Sequence, residues 1–251
     1  MSDEINPNDA SQSAETQTQS TALVALDDWD CFERIALNNR VLEKNLVISA
    51  MRKDPAYKAF DILRTRMLQT IGEKGWHRIG ITSPTDGCGK TFVAANLAIS
   101  LARGETNRVL LMDMNLRKPD MARVLGIQRS ISMADYLSGI IDPEEFFLRL
   151  GPSLVAGLNS KQTKDVAELV QTDMTADVLD EIQDILAPDV TIFDLPPMLS
   201  SDDAMACLPH LDAVLLVVGG GMTTEAEIRD AERLLQDQTP LLGVILNNAE
   251  D

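Results

Sequence analysis

Cysteine, tyrosine and basic residues are all scarce in this chain, and each scarcity excludes something. Three cysteines in 251 residues, Cys31, Cys88 and Cys207, are too few and too widely spaced for a disulfide framework or a zinc cluster. They fit a reducing compartment. Lysine and arginine number 22 against 39 aspartates and glutamates, a formal net charge of −17. The cations are scattered, with none before Arg34, so neither nucleic acid nor a bare anionic membrane would meet a cationic face. No apolar run approaches the roughly 18 residues that a bilayer-spanning helix needs. The opening MSDEINPNDASQSAETQTQS has neither the basic n-region nor the apolar h-region of a signal peptide. The expected location is cytoplasmic, with no direct membrane insertion.

What is present suffices for a large core, since 45% of the residues are hydrophobic. Residues 1–22, rich in Ser, Thr, Gln, Asn and Asp, read as a disordered acidic tail, because so few apolar anchors cannot offset the entropy of ordering. Residues 23–72 read as an N-terminal helical arm. There Asp54-Pro55 marks a helix start, and Ala59, Phe60, Leu63, Met67 and Ile71 recur at helical spacing. Over 73–251 short apolar runs alternate with amphipathic stretches. Strands are expected at 78–82, 109–113, 190–194, 213–218 and 242–247, and helices at 91–103, 173–186 and 225–237. Runs such as AVLLVV are apolar on both faces, as buried parallel strands are. The alternation predicts an α/β fold, a doubly wound, mostly parallel sheet with right-handed crossovers. In such sheets ligands lie at the carboxyl ends of the strands.

Three motifs stand at those ends. ITSPTDGCGKT nearly matches the phosphate-loop pattern G-x-x-x-x-G-K-[ST], except that Pro84 stands where the first glycine belongs. Gly87 and Gly89 would let backbone N–H groups curl around phosphate, and a following helix adds its positive dipole end. Lys90 would reach the β- and γ-phosphates and the Thr91 hydroxyl would ligate Mg²⁺. VLLMDMNLRKP ends a strand at Asp113, followed by Asn115 and Arg117, and VTIFDLPP ends another at Asp194. Carboxylates beside a phosphate loop supply the hard oxygen ligands that magnesium takes. Alone, each feature also suits an ordinary βα turn or helix cap. Together, after three hydrophobic strands, they predict a P-loop nucleotide site for ATP and Mg²⁺, with Asp86, Gly87, Cys88, Gly89, Lys90 and Thr91 as its loop.

These segments resemble the motifs of the bacterial tyrosine kinases, P-loop enzymes of capsule and exopolysaccharide export related to MinD and ParA. In that family the loop opens Thr-Ser, which accommodates Pro84; the second motif reads D-x-D-x-R, and the third ends D-x-P. The resemblance spans about 54–247, including DPAYKAFDILRTRM, SSDDA and GVILN. It implies a Mg·ATP-dependent tyrosine-protein kinase with Lys90, Asp113 and Asp194 as catalytic residues. Thr91, Asp113, Asn115 and Asp194 would surround the metal, Arg117 would steady the loop or a phosphate, and Asn247 would lie near the adenine. The implied activator is the cytosolic end of a membrane polysaccharide co-polymerase, which would recruit the chain to the inner face of the membrane.

The departures are specific. Asn115 replaces the second acid. The ring-assembly motif E-x-x-R-x-x-R reads Lys58, Asp61, Arg64. The family's C-terminal tyrosine cluster is missing; the two tyrosines, Tyr57 and Tyr136, read as packing residues. We therefore expect weakened activity, no closed ring of copies, and protein tyrosine substrates phosphorylated in trans. Two other readings share the fold. One is a MinD/ParA-type ATPase, opposed by Thr85 at the signature lysine position and by the acidic surface. The other is a pseudokinase that switches its partner by binding nucleotide alone. Cys88 reads as a loop-filler, and His77 and His210 as structural.

Overall fold

The computed structural model describes residues 29–50 and 57–249. The expected tail over 1–22 and the helix start at Asp54-Pro55 lie outside the described residues. Eight strands form one sheet: β1 (Glu33–Arg34), β2 (Arg78–Thr82), β3 (Val109–Asp113), β4 (Leu148–Gly151), β5 (Leu154–Gly157), β6 (Val190–Asp194), β7 (Ala213–Gly219) and β8 (Leu241–Asn247). Their order is β1-β4-β5-β3-β6-β2-β7-β8. All pairs are parallel except β4 with β5.

Every residue of β3, β6 and β7 is buried because helices cover both faces of the sheet. On one face Phe60, Met67 and Ile71 of helix Tyr57–Lys74 and Val93, Leu97 and Leu101 of helix Lys90–Ala102 join Ile79, Leu111 and Ile192 in one core. On the other, Val178, Leu179 and Ile182 of helix Asp173–Leu186 pack with Leu110, Met112 and Phe193. Helix Glu225–Gln236, opened by a Thr224–Glu227 capping box, lays Ala231 and Leu235 over Val214, Leu216 and Val218. This is the expected doubly wound sheet, and it aims the ends of β2, β3 and β6 at one place.

Three strands differ from expectation. The β4–β5 hairpin is built from LRLG and LVAG around Pro152, runs too short to show a period. Its position depends on Phe146 and Phe147, which press on Gly157 so closely that a Cβ there would meet their rings at 2.7 and 2.8 Å. β1 is two charged residues whose strand character comes only from pairing with β4. The segment read as a helical arm thus supplies helices Asn39–Lys44 and Tyr57–Lys74 and also an edge strand.

Polar contacts fasten that segment to helix Lys90–Ala102. The fully buried Asn96 amide accepts from the Ser49 N–H at 2.8 Å and donates to the carbonyls of Phe92 at 2.9 Å and Leu46 at 3.3 Å. Asp61 pairs with Arg103 at 3.0 Å and Arg64 at 3.3 Å, and Arg64 donates to the Ser100 carbonyl at 3.2 Å. Two of the three ring-motif positions are therefore engaged within the chain, while Lys58 is exposed. Tyr57 lies under the Arg103 guanidinium, 4.2 Å from its ring centroid. Tyr136 is buried and stacked on Phe146 at 4.3 Å, and burial raises the pKa of its hydroxyl. Among the described residues no helix is long and apolar enough to cross a membrane.

Asn96→Ala should expose the cost of this fastening. It leaves the buried Ser49 N–H without its partner and takes from the Leu46 carbonyl the weaker of its two donors, the other being the Ile48 N–H. Burying a polar group unpaired costs about 1–3 kcal/mol. A loss of about 2 kcal/mol in urea denaturation is expected. A loss below about 0.5 kcal/mol, the range of ordinary surface changes, would contradict it.

Candidate functional site

Between β2 and helix Lys90–Ala102 the chain makes a turn that only glycine allows at two points. Gly87 and Gly89 have φ of 85° and 86°, the left-handed region in which a side chain is strained. Gly89 caps the helix with no side-chain acceptor, so the first-turn N–H groups remain available to an anion. The loop is anchored to the segment after β6. The Thr82 hydroxyl donates to the Pro196 carbonyl at 2.6 Å, and the N–H groups of Met198 and Leu199 donate to the carbonyls of Ser83 at 2.8 Å and Pro84 at 3.0 Å. Pro84 is buried there, in the place where the usual pattern has glycine. The Cys88 thiol donates to the Thr85 carbonyl at 3.3 Å and touches the Thr223 hydroxyl at 3.4 Å. Burial pushes this thiol up, but hydrogen bonds from Thr223, Thr85 and the Gly219 backbone outweigh it and hold the pKa below its ordinary value.

The two acids stand side by side. In the β3–β6 register Asp113 is the direct partner of Asp194, and Asp194 in turn faces Ile81 of β2. Both are fully buried. Asp113 accepts backbone N–H groups from Met121 at 3.2 Å and Asn115 at 3.3 Å. Neither Asp194 oxygen takes a well-formed hydrogen bond, although the Thr91 hydroxyl is near enough to favour its charged form. Burial pushes Asp194 up to about 6, against the pull of Lys90. Asp113 is raised well above the carboxylate range, first by burial and then by the charge of Asp194. Lys90 acts on both acids, so the loop lysine, Thr91 and the two strand-end carboxylates form one electrostatic unit.

Other predicted residues surround this unit. Asn115 is 4% exposed and lies on the turn leaving β3. Arg117 forks onto the buried Asp203, with Nη2 to Oδ1 at 3.0 Å and Nε on Oδ2, and Ser201 donates to the same carboxylate at 2.9 Å. It is thus tied to the SSDDA segment in this structure. Asp86 pairs with Lys118 at 2.8 Å across the mouth of the loop. Asn247, at the end of β8, donates to the Cys88 carbonyl at 2.9 Å. A cavity of about 400 Å³ beside the loop is lined by Leu46, Gly89, Phe92, Asp120, Arg123 and Asn247. His77 and His210 contact the backbone carbonyls of Asp189 and Val170, each at 3.0 Å. Sequence reasoning gave no role to Asp203 or Thr223. Asp203 was visible only as part of SSDDA, and its importance comes from a partner 86 residues away.

Among the described residues no group of three or more His, Cys, Asp or Glu forms a complete metal cage. A pair of carboxylates and a hydroxyl suits an ion that completes its shell with phosphate and water.

Several known proteins are similar to this chain in sequence or in fold. EpsB of Ralstonia solanacearum is 29% identical over 231 residues, which is 90% of this chain and 30% of EpsB, so the chain spans less than a third of that relative's length. The tyrosine-protein kinase YwqD of Bacillus subtilis is 26% identical over 208 residues, 82% of this chain and 86% of YwqD. The solved kinase domain of the Escherichia coli tyrosine kinase ETK superposes with a TM-score of 0.73 at 26% identity, covering 81% of this chain and 80% of that domain. The profile of the CobQ/CobB/MinD/ParA nucleotide binding domain matches residues 79–251, which include β2 from its second residue, β3 to β8, the phosphate loop and both acids. This chain is a member of the CobQ/CobB/MinD/ParA nucleotide-binding domain family.

Proposed function

We propose that this chain binds Mg·ATP and transfers its γ-phosphoryl group to tyrosines of other proteins. The observation that carries the reading is the placing of Asp113 and Asp194 as register partners within reach of Lys90 and Thr91. Two buried carboxylates, one with both oxygens unpartnered, are costly unless a cation offsets them. The residues fit magnesium: Thr91, Asp113 and Asp194 supply oxygen donors, and Asn115 follows on the turn where its backbone N–H meets Asp113. When bound, that ion would neutralise charge on the transferring phosphoryl group. The residues of the chain do the rest. Backbone N–H groups of the Gly87–Gly89 turn and the helix start hold the phosphates, and Lys90 adds a point charge. Asp113, whose affinity for protons is raised, would orient the incoming hydroxyl and take its proton.

The acceptor is proposed to lie in trans. Tyr136 is locked in an aromatic stack and Tyr57 beneath Arg103, and neither can come in line with a γ-phosphate without local unfolding. Likeness to kinases of capsule and exopolysaccharide export makes polysaccharide synthesis or export the proposed setting. The cytosolic end of a membrane co-polymerase is the proposed activator. A second reading, a switch that binds ATP without transfer, is supported by the neutral Asn115 where the kinase motif carries an acid.

The deciding experiment incubates the protein with Mg·ATP and a tyrosine-containing polymer, with and without a co-polymerase tail, and follows phosphotyrosine by mass spectrometry. We expect label on the polymer, none on Tyr57 or Tyr136, and a fall of about 100-fold or more in Lys90→Ala. Mg·ATP binding without any transfer would leave the switch reading, and absence of binding would overturn both.

A stability measurement tests the acid pair separately. The folded pKa of Asp194 lies above its unfolded value of 3.8, at about 6. Its burial therefore costs nothing below that unfolded value, and the cost grows as pH rises through the folded pKa. Asp194→Asn should stabilise the ligand-free protein at pH near 7.5 by on the order of 1–3 kcal/mol, or about 2–4 °C of Tm per kcal/mol. The gain should shrink toward pH 4, and the variant should lose the Tm increase that Mg·ATP gives the wild type. A variant destabilised at every pH would show that the carboxylate is satisfied by the fold.

A further inference from the structure

The phosphate loop is braced from the far side of the sheet edge, and one side chain does it. Asn247 is the last residue of β8, 159 positions from Cys88, yet its amide donates to the Cys88 carbonyl at 2.9 Å. Its own carbonyl accepts the Gly220 N–H at 2.7 Å, which fixes Asn247 to the end of β7. The fit is close: a Cβ on Gly89 would come within 2.2 Å of the Asn247 amide nitrogen. Gly219 closes the same side, since a Cβ there would meet Cys88 Cα at 3.5 Å.

The consequence follows from peptide geometry. There is no cis peptide bond among the described residues, so the Cys88 carbonyl and the Gly89 N–H point in opposite directions across one rigid plane. With the carbonyl held toward β8 by Asn247, the Gly89 N–H is turned away from β8. Gly89 has left-handed φ and no side chain, so its own sterics restrict that plane less than any other residue's would. A loop of this kind binds anions only when successive N–H groups converge.

We infer that Asn247 is a positioning residue of the phosphate cradle, setting the Cys88–Gly89 peptide plane so that the Gly89 N–H serves the phosphates. This rests on the nucleotide reading above and deepens it. The role lies in the triphosphate half of the ligand and is independent of the base.

Calorimetric titration of the full chain with Mg·ATP and with base-free Mg·tripolyphosphate tests it, using wild type, Asn247→Leu (similar volume, no donor) and Asn247→Ala. Both variants should weaken both ligands by a similar factor, about 3–10-fold for one lost orienting hydrogen bond. The Gly89 amide resonance of the ligand-free protein should shift in both. Ligand-free melting curves identify the folded variants. A merely structural role would lower Tm and leave the affinity of the folded fraction and the ligand pattern unchanged. Loss confined to ATP, with tripolyphosphate unaffected, would overturn the inference in favour of contact with the base; unchanged affinity for both would overturn it outright. A wild type that binds neither ligand would bring down the nucleotide reading and this inference with it.

Discussion

Two carboxylates held against each other in a dry interior are the constraint around which this site is organised. Parallel strands run about 4.8 Å apart, and the β3–β6 register puts Asp113 opposite Asp194 at their ends. Two negative charges on neighbouring strand ends disfavour each other, and the charge of Asp194 is one cause of the raised Asp113 pKa. The fold relieves Asp113 with two backbone N–H donors and leaves Asp194 with none. Core packing fixes the positions, since β3 and β6 are buried along their whole length. The sheet therefore holds a stress that a cation would relieve. Lys90, whose charge acts on both acids, begins the helix that the phosphate loop feeds.

The loops around this pair are tied to one another rather than to solvent. Arg117, on the turn after β3, grips Asp203 beyond β6. The phosphate loop is joined to the segment after β6 through Ser83 and Pro84, and to the end of β8 through Asn247. Strand ends that would otherwise carry independent turns thus form one connected floor. Asn115 lies within this floor, buried and neutral. Its amide adds no third negative charge to an already repelling pair. Under the proposed function, an amide in place of the motif's acid would also hold the metal more weakly.

Legibility in the sequence followed how locally each feature was determined. β2, β3 and β6 could be bounded to the residue because a strand buried on both faces is a continuous apolar run that stops at a polar end. Helix Asp173–Leu186 was equally legible from its amphipathic period. The β4–β5 hairpin and β1 were not, because four-residue and two-residue strands carry no period and depend on Phe146, Phe147 and the neighbouring strand. In the site, Lys90, Thr91, Asp113 and Asp194 could be read as strand-end and helix-start chemistry, and the structure brings them together. The pairing of Arg117 with Asp203 and the reach of Asn247 to Cys88 could not, since each joins residues far apart in the chain.

The account turns on whether magnesium and nucleotide replace protons on the acid pair. Because both pKa values are raised, the ligand-free site carries protons near pH 6 that cation binding must expel. Calorimetric titration of the protein with ATP in excess Mg²⁺, repeated at pH 6 in buffers of different ionisation enthalpy, counts them. Proton release on binding at pH 6 is expected, reduced but not abolished in Asp194→Asn, because burial alone still raises Asp113. The Asp194 share should decline as pH rises above about 6. Binding with no proton release at pH 6 would contradict it.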